Sequence, residues 1–127
     1  MTVIEAIRSA EAILPGAPAR EGEKDPRWRA IIAVADFIED DPEPVWTFAE
    51  RWSQHPDEDV QQAIATCVLE HLFEDHFDLV FPRAELLARS SPSFGQTVAM
   101  CWRFGQAERP GNAAKLEQLV RELRGAS

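Results

Sequence analysis

His55-Pro56-Asp57-Glu58-Asp59-Val60-Gln61-Gln62-Ala63-Ile64-Ala65 is the stretch on which the fold turns. Pro56 ends whatever precedes it, and Asp57 is the residue type that caps a helix by accepting orphan backbone N–H groups. After it, Val60, Ile64, Cys67, Val68, His71, Leu72 and Asp75 recur at three- and four-residue spacing. That spacing is one face of a helix, and no strand produces it. A long helix from Asp57, interrupted by the acidic run Glu74 to Asp78, is therefore predicted.

Working outward, the same grammar repeats. Asp25-Pro26 opens a helix whose apolar face is Trp28, Ile31, Ile32, Ala35 and Ile38, and Glu39-Asp40-Asp41-Pro42 breaks it. Val45, Trp46, Ala49 and Trp52 mark the next helix. Beyond the long helix, Phe77 to Phe81 reads as a short turn and Pro82 as the start of a helix carrying Leu86 and Leu87. Ser90-Ser91-Pro92 begins another, with Phe94, Val98, Cys101 and Trp102 inward and a stop at Gly105; Asn112 caps a last one through Leu116, Leu119, Val120 and Leu123. Upstream, Val3, Ala6, Ile7, Ala10 and Leu14 form a stripe that Pro15-Gly16 ends. The prediction is all-α, about seven helices: an N-terminal helix over 1–16, a polar linker over 17–25, and a helical domain over 26–127.

Weak internal repetition adds order to the list. Arg29-Ala30-Ile31 matches Gln62-Ala63-Ile64 at an offset of 33, and Ala65-Thr66-Cys67 matches Ala99-Met100-Cys101 at 34. Three helix pairs of about that length fill the chain after the linker, and short connections make neighbours antiparallel. The stretch 55–65 resembles the opening of a HEAT repeat, in which a Pro-containing turn precedes V-R-x-A-hydrophobic-A; Gln61 stands here where that family favours Arg. The resemblance implies a right-handed stack of antiparallel helix pairs, a HEAT-like α-α superhelix. Proteins of that kind bind other proteins or, in one branch, damaged DNA.

Composition sets the outer bounds. Hydrophobic content of 45% argues against disorder, and no apolar run approaches the roughly 20 residues that span a bilayer. Met1 to Leu14 carries Glu5, Arg8 and Glu11 within its apolar pattern, unlike a signal peptide, so a cytoplasmic protein is expected. Cys67 and Cys101 are too far apart for a C-x-x-C motif and sit among apolar neighbours, which predicts reduced structural thiols.

Charge is the most informative feature. The net charge is −9, yet residues 36–78 alone hold thirteen acids against the single base Arg51. Such a field repels phosphate backbones and attracts basic protein surfaces. Asp25 and Asp57 are explained as helix caps. Glu39, Asp40 and Asp41, with Glu74, Asp75 and Asp78, are not: they fall at helix C-terminal ends, where negative charge opposes the dipole. These six, with Glu43 beside them, are the candidate partner-binding residues, on one edge of the stack. The segment Glu70 to His76 also invites a metal reading through His71, Glu74 and His76, but it contains no H-E-x-x-H or H-x-x-E-H motif. No nucleophile elbow or Gly-rich phosphate loop occurs, and the four tryptophans Trp28, Trp46, Trp52 and Trp102 sit at core spacing. The sequence thus predicts a non-enzymatic interaction module without cofactor, binding a protein of basic surface. A HEAT-like nucleic-acid repair or modification protein is the alternative, and a metal-dependent enzyme the second.

Overall fold

A computed structural model describes residues 1–16 and 25–125 of the chain, and no strand occurs among them. The α-helices are α1 (Val3–Ile13), α2 (Pro26–Ala35), α3 (Pro42–Trp52), α4 (Glu58–Ile64), α5 (Glu70–Ser90), α6 (Pro92–Ala99) and α7 (Pro110–Gly125). A π turn, Ala65–Leu69, joins α4 to α5 without a break, and a 3-10 turn, Gly105–Glu108, precedes α7. Counting Glu58 to Ser90 as one run gives six separate helices. The linker expected over 17–25 lies outside the described residues except for Asp25.

Local chemistry sets most of the boundaries. Thr2 and Glu5 form a reciprocal capping box on α1. Asp25 accepts the Arg27 N–H at 2.9 Å, Asp57 the Asp59 N–H at 2.9 Å and Ser91 the Phe94 N–H at 3.3 Å, each opening the helix that follows. Pro26, Pro42 and Pro92 occupy first helical positions, where a missing N–H costs nothing.

α1 packs on α2 and α3; α2 packs on α4 and the π turn; α6 packs on α5 and α7. The run from α4 through α5 is the central strut, touched by every other helix except α1 among the principal contacts. Ile31, Ile64, Val68, Val98 and Leu119 are buried as the periodicity predicts, while Trp28 and Cys67, expected beside them, are only half-buried. Phe73, Phe77 and Phe81 climb one face of α5, the latter two rings stacked 5.0 Å apart. Trp46 of α3 meets Phe94 of α6 edge-on at 5.9 Å, where a T-shaped pair adds specific electrostatic attraction to the burial.

Several expectations are corrected. The long helix breaks at His76 (φ −140, ψ 47), within the expected interruption, but Phe77 to Phe81 is helix and not a turn, and the helix that restarts carries Pro82 inside it; Pro82 opens nothing. The reason is tertiary. Gln106 spans the break with its side-chain amide, donating to the Asp75 carbonyl at 2.8 Å and accepting the Phe77 N–H at 2.9 Å. With those orphan groups satisfied, interruption at His76 is tolerated. Pro82 then deprives α5 of one N–H donor without ending it.

Leu86, 75% exposed, and Ile32 face solvent where core positions were expected. Trp102 is 71% exposed, because α6 ends at Ala99 and the chain beyond no longer follows helical periodicity. Asn112 does not cap α7, which starts at Pro110; its side-chain amide donates to the Gln106 carbonyl at 2.9 Å.

Candidate functional site: an acidic furrow over the π turn

The two acidic turns meet. His76, freed from helical geometry, donates from Nε2 to the Ile38 carbonyl at 2.9 Å and so binds the turn after α2 to the break in α5. Between them lies an open pocket of about 440 Å³, lined by Ile32, Asp36 and Glu39 on one side and Thr66, Cys67, His71 and Asp75 on the other. Its lining includes the π-turn residues Thr66 and Cys67; π turns occur mostly as single turns inside α-helices, frequently at functional sites. The furrow is negative because Asp36, Glu39 and Asp75 make no ion pair among the described residues.

Residue by residue, the predicted edge separates into two kinds. Glu39, Asp40, Asp41 and Asp78 are exposed, and Asp75 is half-buried in the furrow. Glu43 is already engaged: Arg83 grips both of its oxygens at 2.7 and 2.9 Å, which holds the Glu43 carboxyl below the usual carboxylate range. Glu74 shares a 2.7 Å hydrogen bond with His71.

The dipole expectation needs a correction as well. α2 ends at Ala35, so Asp41 occupies the N-cap position of α3 and Glu43 its first turn; Asp78 lies just after the restart at His76. Those three sit where the helix dipole favours a carboxylate, and Glu74 and Asp75 alone sit in a last helical turn.

The loop from Cys101 to Glu108 buttresses the furrow from below. Gly105, at φ +51, lies against Glu74: a Cβ there would come within 2.7 Å of the Glu74 side chain and 3.0 Å of its carbonyl oxygen. Glu70, buried, accepts the Trp102 N–H at 2.8 Å. Neither Glu70 nor Gln106 stands out in the sequence, since each acts through a partner about thirty residues away.

A second acid cluster has a different fate. Arg27, 2% exposed, reaches Asp25 at 3.1 Å, Asp57 at 2.9 Å and Asp59 at 3.3 Å. Its hydrogen bonds to Asp25, then to Asp57, raise its pKa against the opposing effect of burial. The same contact with Arg27, reinforced by the Asp59 N–H, lowers that of Asp57. The indole N–H of Trp28 adds a 3.0 Å bond to Asp59. Asp57 is therefore both helix cap and anchor of α4 to α2. Gln61, at the position where Arg was of interest, donates to the His55 carbonyl at 2.7 Å and leaves its buried Oε1 without a partner. Arg27 carries a signal only in hindsight: a basic residue two positions after the Asp25 cap.

His71, Glu74 and His76 do not converge, because His71 pairs with Glu74 while His76 turns to Ile38. Among the described residues no group of three His, Cys, Asp or Glu side chains is placed to hold a metal ion. Burial pushes the Cys67 thiol up, with Glu70 adding to the shift, and burial pushes Cys101 well up too. Both thiols are thereby held away from the thiolate form that nucleophilic chemistry uses. No described helix is long and apolar enough to cross a membrane. The chain is thus an all-helical protein with an acidic furrow. Compared with protein-family models, curated proteins and solved structures, it matches none.

Proposed function

We propose that this chain is a non-enzymatic interaction module, a HEAT-like stack over residues 26–127, whose acidic edge docks a basic protein surface. The observation that carries the reading is the His76–Ile38 bond, which brings two acid-rich turns from distant parts of the sequence to one furrow. Unpaired carboxylates crowded around an open groove repel one another, and a cationic partner relieves that repulsion. Such a field also speeds encounter with a basic surface more than it tightens the final complex. The same charge disfavours nucleic acid, whose backbone the furrow repels. An adaptor, or an inhibitor of a basic protein, fits this chemistry.

The test is affinity capture from a lysate of the encoding organism, on the native chain and on a variant carrying Glu39→Gln, Asp40→Asn, Asp41→Asn, Asp75→Asn and Asp78→Asn. A basic protein should be held by the native chain at 0.1 M salt and released at 1 M, where the Debye length falls from about 10 Å to about 3 Å. The variant should fail to hold it. A partner retained equally by both proteins at either salt would remove the acidic edge from the interface.

A further inference from the structure

Trp102 is the largest side chain left in solvent, yet the chain that carries it is firmly held. The Trp102 backbone N–H donates to buried Glu70, the Cys101 thiol before it points to the Ala65 carbonyl at 3.5 Å, and the Phe104 ring after it stacks on the His71 ring, planes 9° apart. The indole is thus presented on an anchored loop. With Met100 and the α4-side residues Glu58, Asp59, Gln62 and Thr66 it lines a pocket of about 450 Å³. Asp59 is already bonded to Arg27 and Trp28. Glu58 is exposed and has no hydrogen bond or ion pair among the described residues.

An exposed indole and a free carboxylate lining the same pocket are the chemistry that receives a planar cation. A guanidinium stacks on an indole through its delocalised plane and still directs N–H donors sideways to a carboxylate, which an ammonium does less well. We infer that the Trp102–Glu58 pocket seats an arginine side chain of the basic partner. The inference deepens the proposed function and rests on it for the sign of the partner's charge. It adds a second contact: Thr66 lines both this pocket and the furrow, so a partner segment anchored at Trp102 runs on across the π turn toward Glu39 and Asp75.

The experiment titrates the full chain with a hexa-arginine peptide while following indole N–H resonances by NMR. Trp46 and Trp52, one buried and one half-buried, serve as internal controls. The Trp102 resonance should shift saturably, and Trp102→Leu and Glu58→Gln should each weaken binding about five- to tenfold. Hexa-lysine should bind several-fold more weakly. Trp102 is exposed, so its replacement leaves the core intact, which an unchanged melting temperature would verify. Peptide binding that leaves Trp102 silent and ignores both substitutions overturns the pocket while the acidic turns remain the site. Binding weakened by the pocket variants but untouched by Glu39→Gln with Asp40→Asn and Asp41→Asn supports the pocket and removes the turns. Absence of binding by the native chain at 0.1 M salt overturns the pocket outright.

Discussion

Two acid clusters, built from the same residue types and within the same stretch of sequence, do opposite things in this protein. Asp25, Asp57 and Asp59 close around Arg27, and their charge is spent holding α2 to the start of α4. Glu39, Asp40, Asp41, Asp75 and Asp78 gather around the furrow with no cation among the described residues to meet them. The first cluster is a joint and the second a surface. What separates them is one buried arginine, and local charge density carries no trace of it.

The largest consequence should come from breaking the joint. Arg27→Met should lower unfolding free energy by about 2–4 kcal/mol, since removing one partner strands the others' charge, discounted because Asp57 and Asp59 are partly solvated. Chemical denaturation measures this. Arg27→Lys should recover only part, lacking the fork that meets three carboxylates. A loss below about 0.5 kcal/mol for Arg27→Met would make the joint a surface feature and erase the contrast.

Next in size is the buttress under the furrow. Gly105→Ala should cost about 1–3 kcal/mol, from a positive φ that Ala resists and from contact with the Glu74 backbone. Amide resonances of Glu74 to Phe77, where Gln106 closes the break, should shift. A neutral substitution would mean that the loop docks loosely and that Gln106 does not set the kink.

Acid should sharpen the contrast further. The Asp57 carboxyl titrates lower folded than unfolded, where its ordinary value is 3.8. In that window the unfolded chain binds the extra proton, so stability is full above about pH 4 and declines as pH falls through the folded value. In Arg27→Met, which lacks the main cause of that depression, this part of the acid decline should shrink in a pH series of melting curves. An identical acid limb in both proteins would contradict the assignment.

The smallest effect on stability belongs to the surface cluster. Glu39→Gln with Asp40→Asn should leave unfolding free energy within about 0.5 kcal/mol, as for surface substitutions that break no contact. Asp41→Asn and Asp78→Asn should lower it slightly, because those carboxylates lie at helix starts. Any large loss here would show that the edge acids are structural, as the Arg27 cluster is.

Much of the helical plan was open to sequence reading because its causes are local. Asp25-Pro26, Asp57 and Ser91-Pro92 fix helix starts through bonds spanning two or three residues, and Val60, Ile64 and Val68 declare a buried face by spacing alone. The candidate site was legible in part. The acids of both turns were recognisable, and an interruption between Glu74 and Asp78 was expected. Glu43 reads as one of them because nothing near it announces Arg83, forty residues on, and Trp102 reads as core only by extending a periodicity that stops at Ala99.

By itself, then, the sequence determined an all-helical chain, the starts of most helices and an acidic middle third, since caps, periodicity and charge are properties of neighbouring residues. Only the tertiary structure decided which acids are neutralised and which stay available, where the long helix breaks, and that Trp102 faces water. Each of those outcomes depends on one contact across about thirty residues or more: Arg27 with Asp57, Gln106 with Asp75 and Phe77, His76 with Ile38, Glu70 with Trp102. Such a contact forms only once packing has brought its two ends together, and a linear pattern holds no record of that distance.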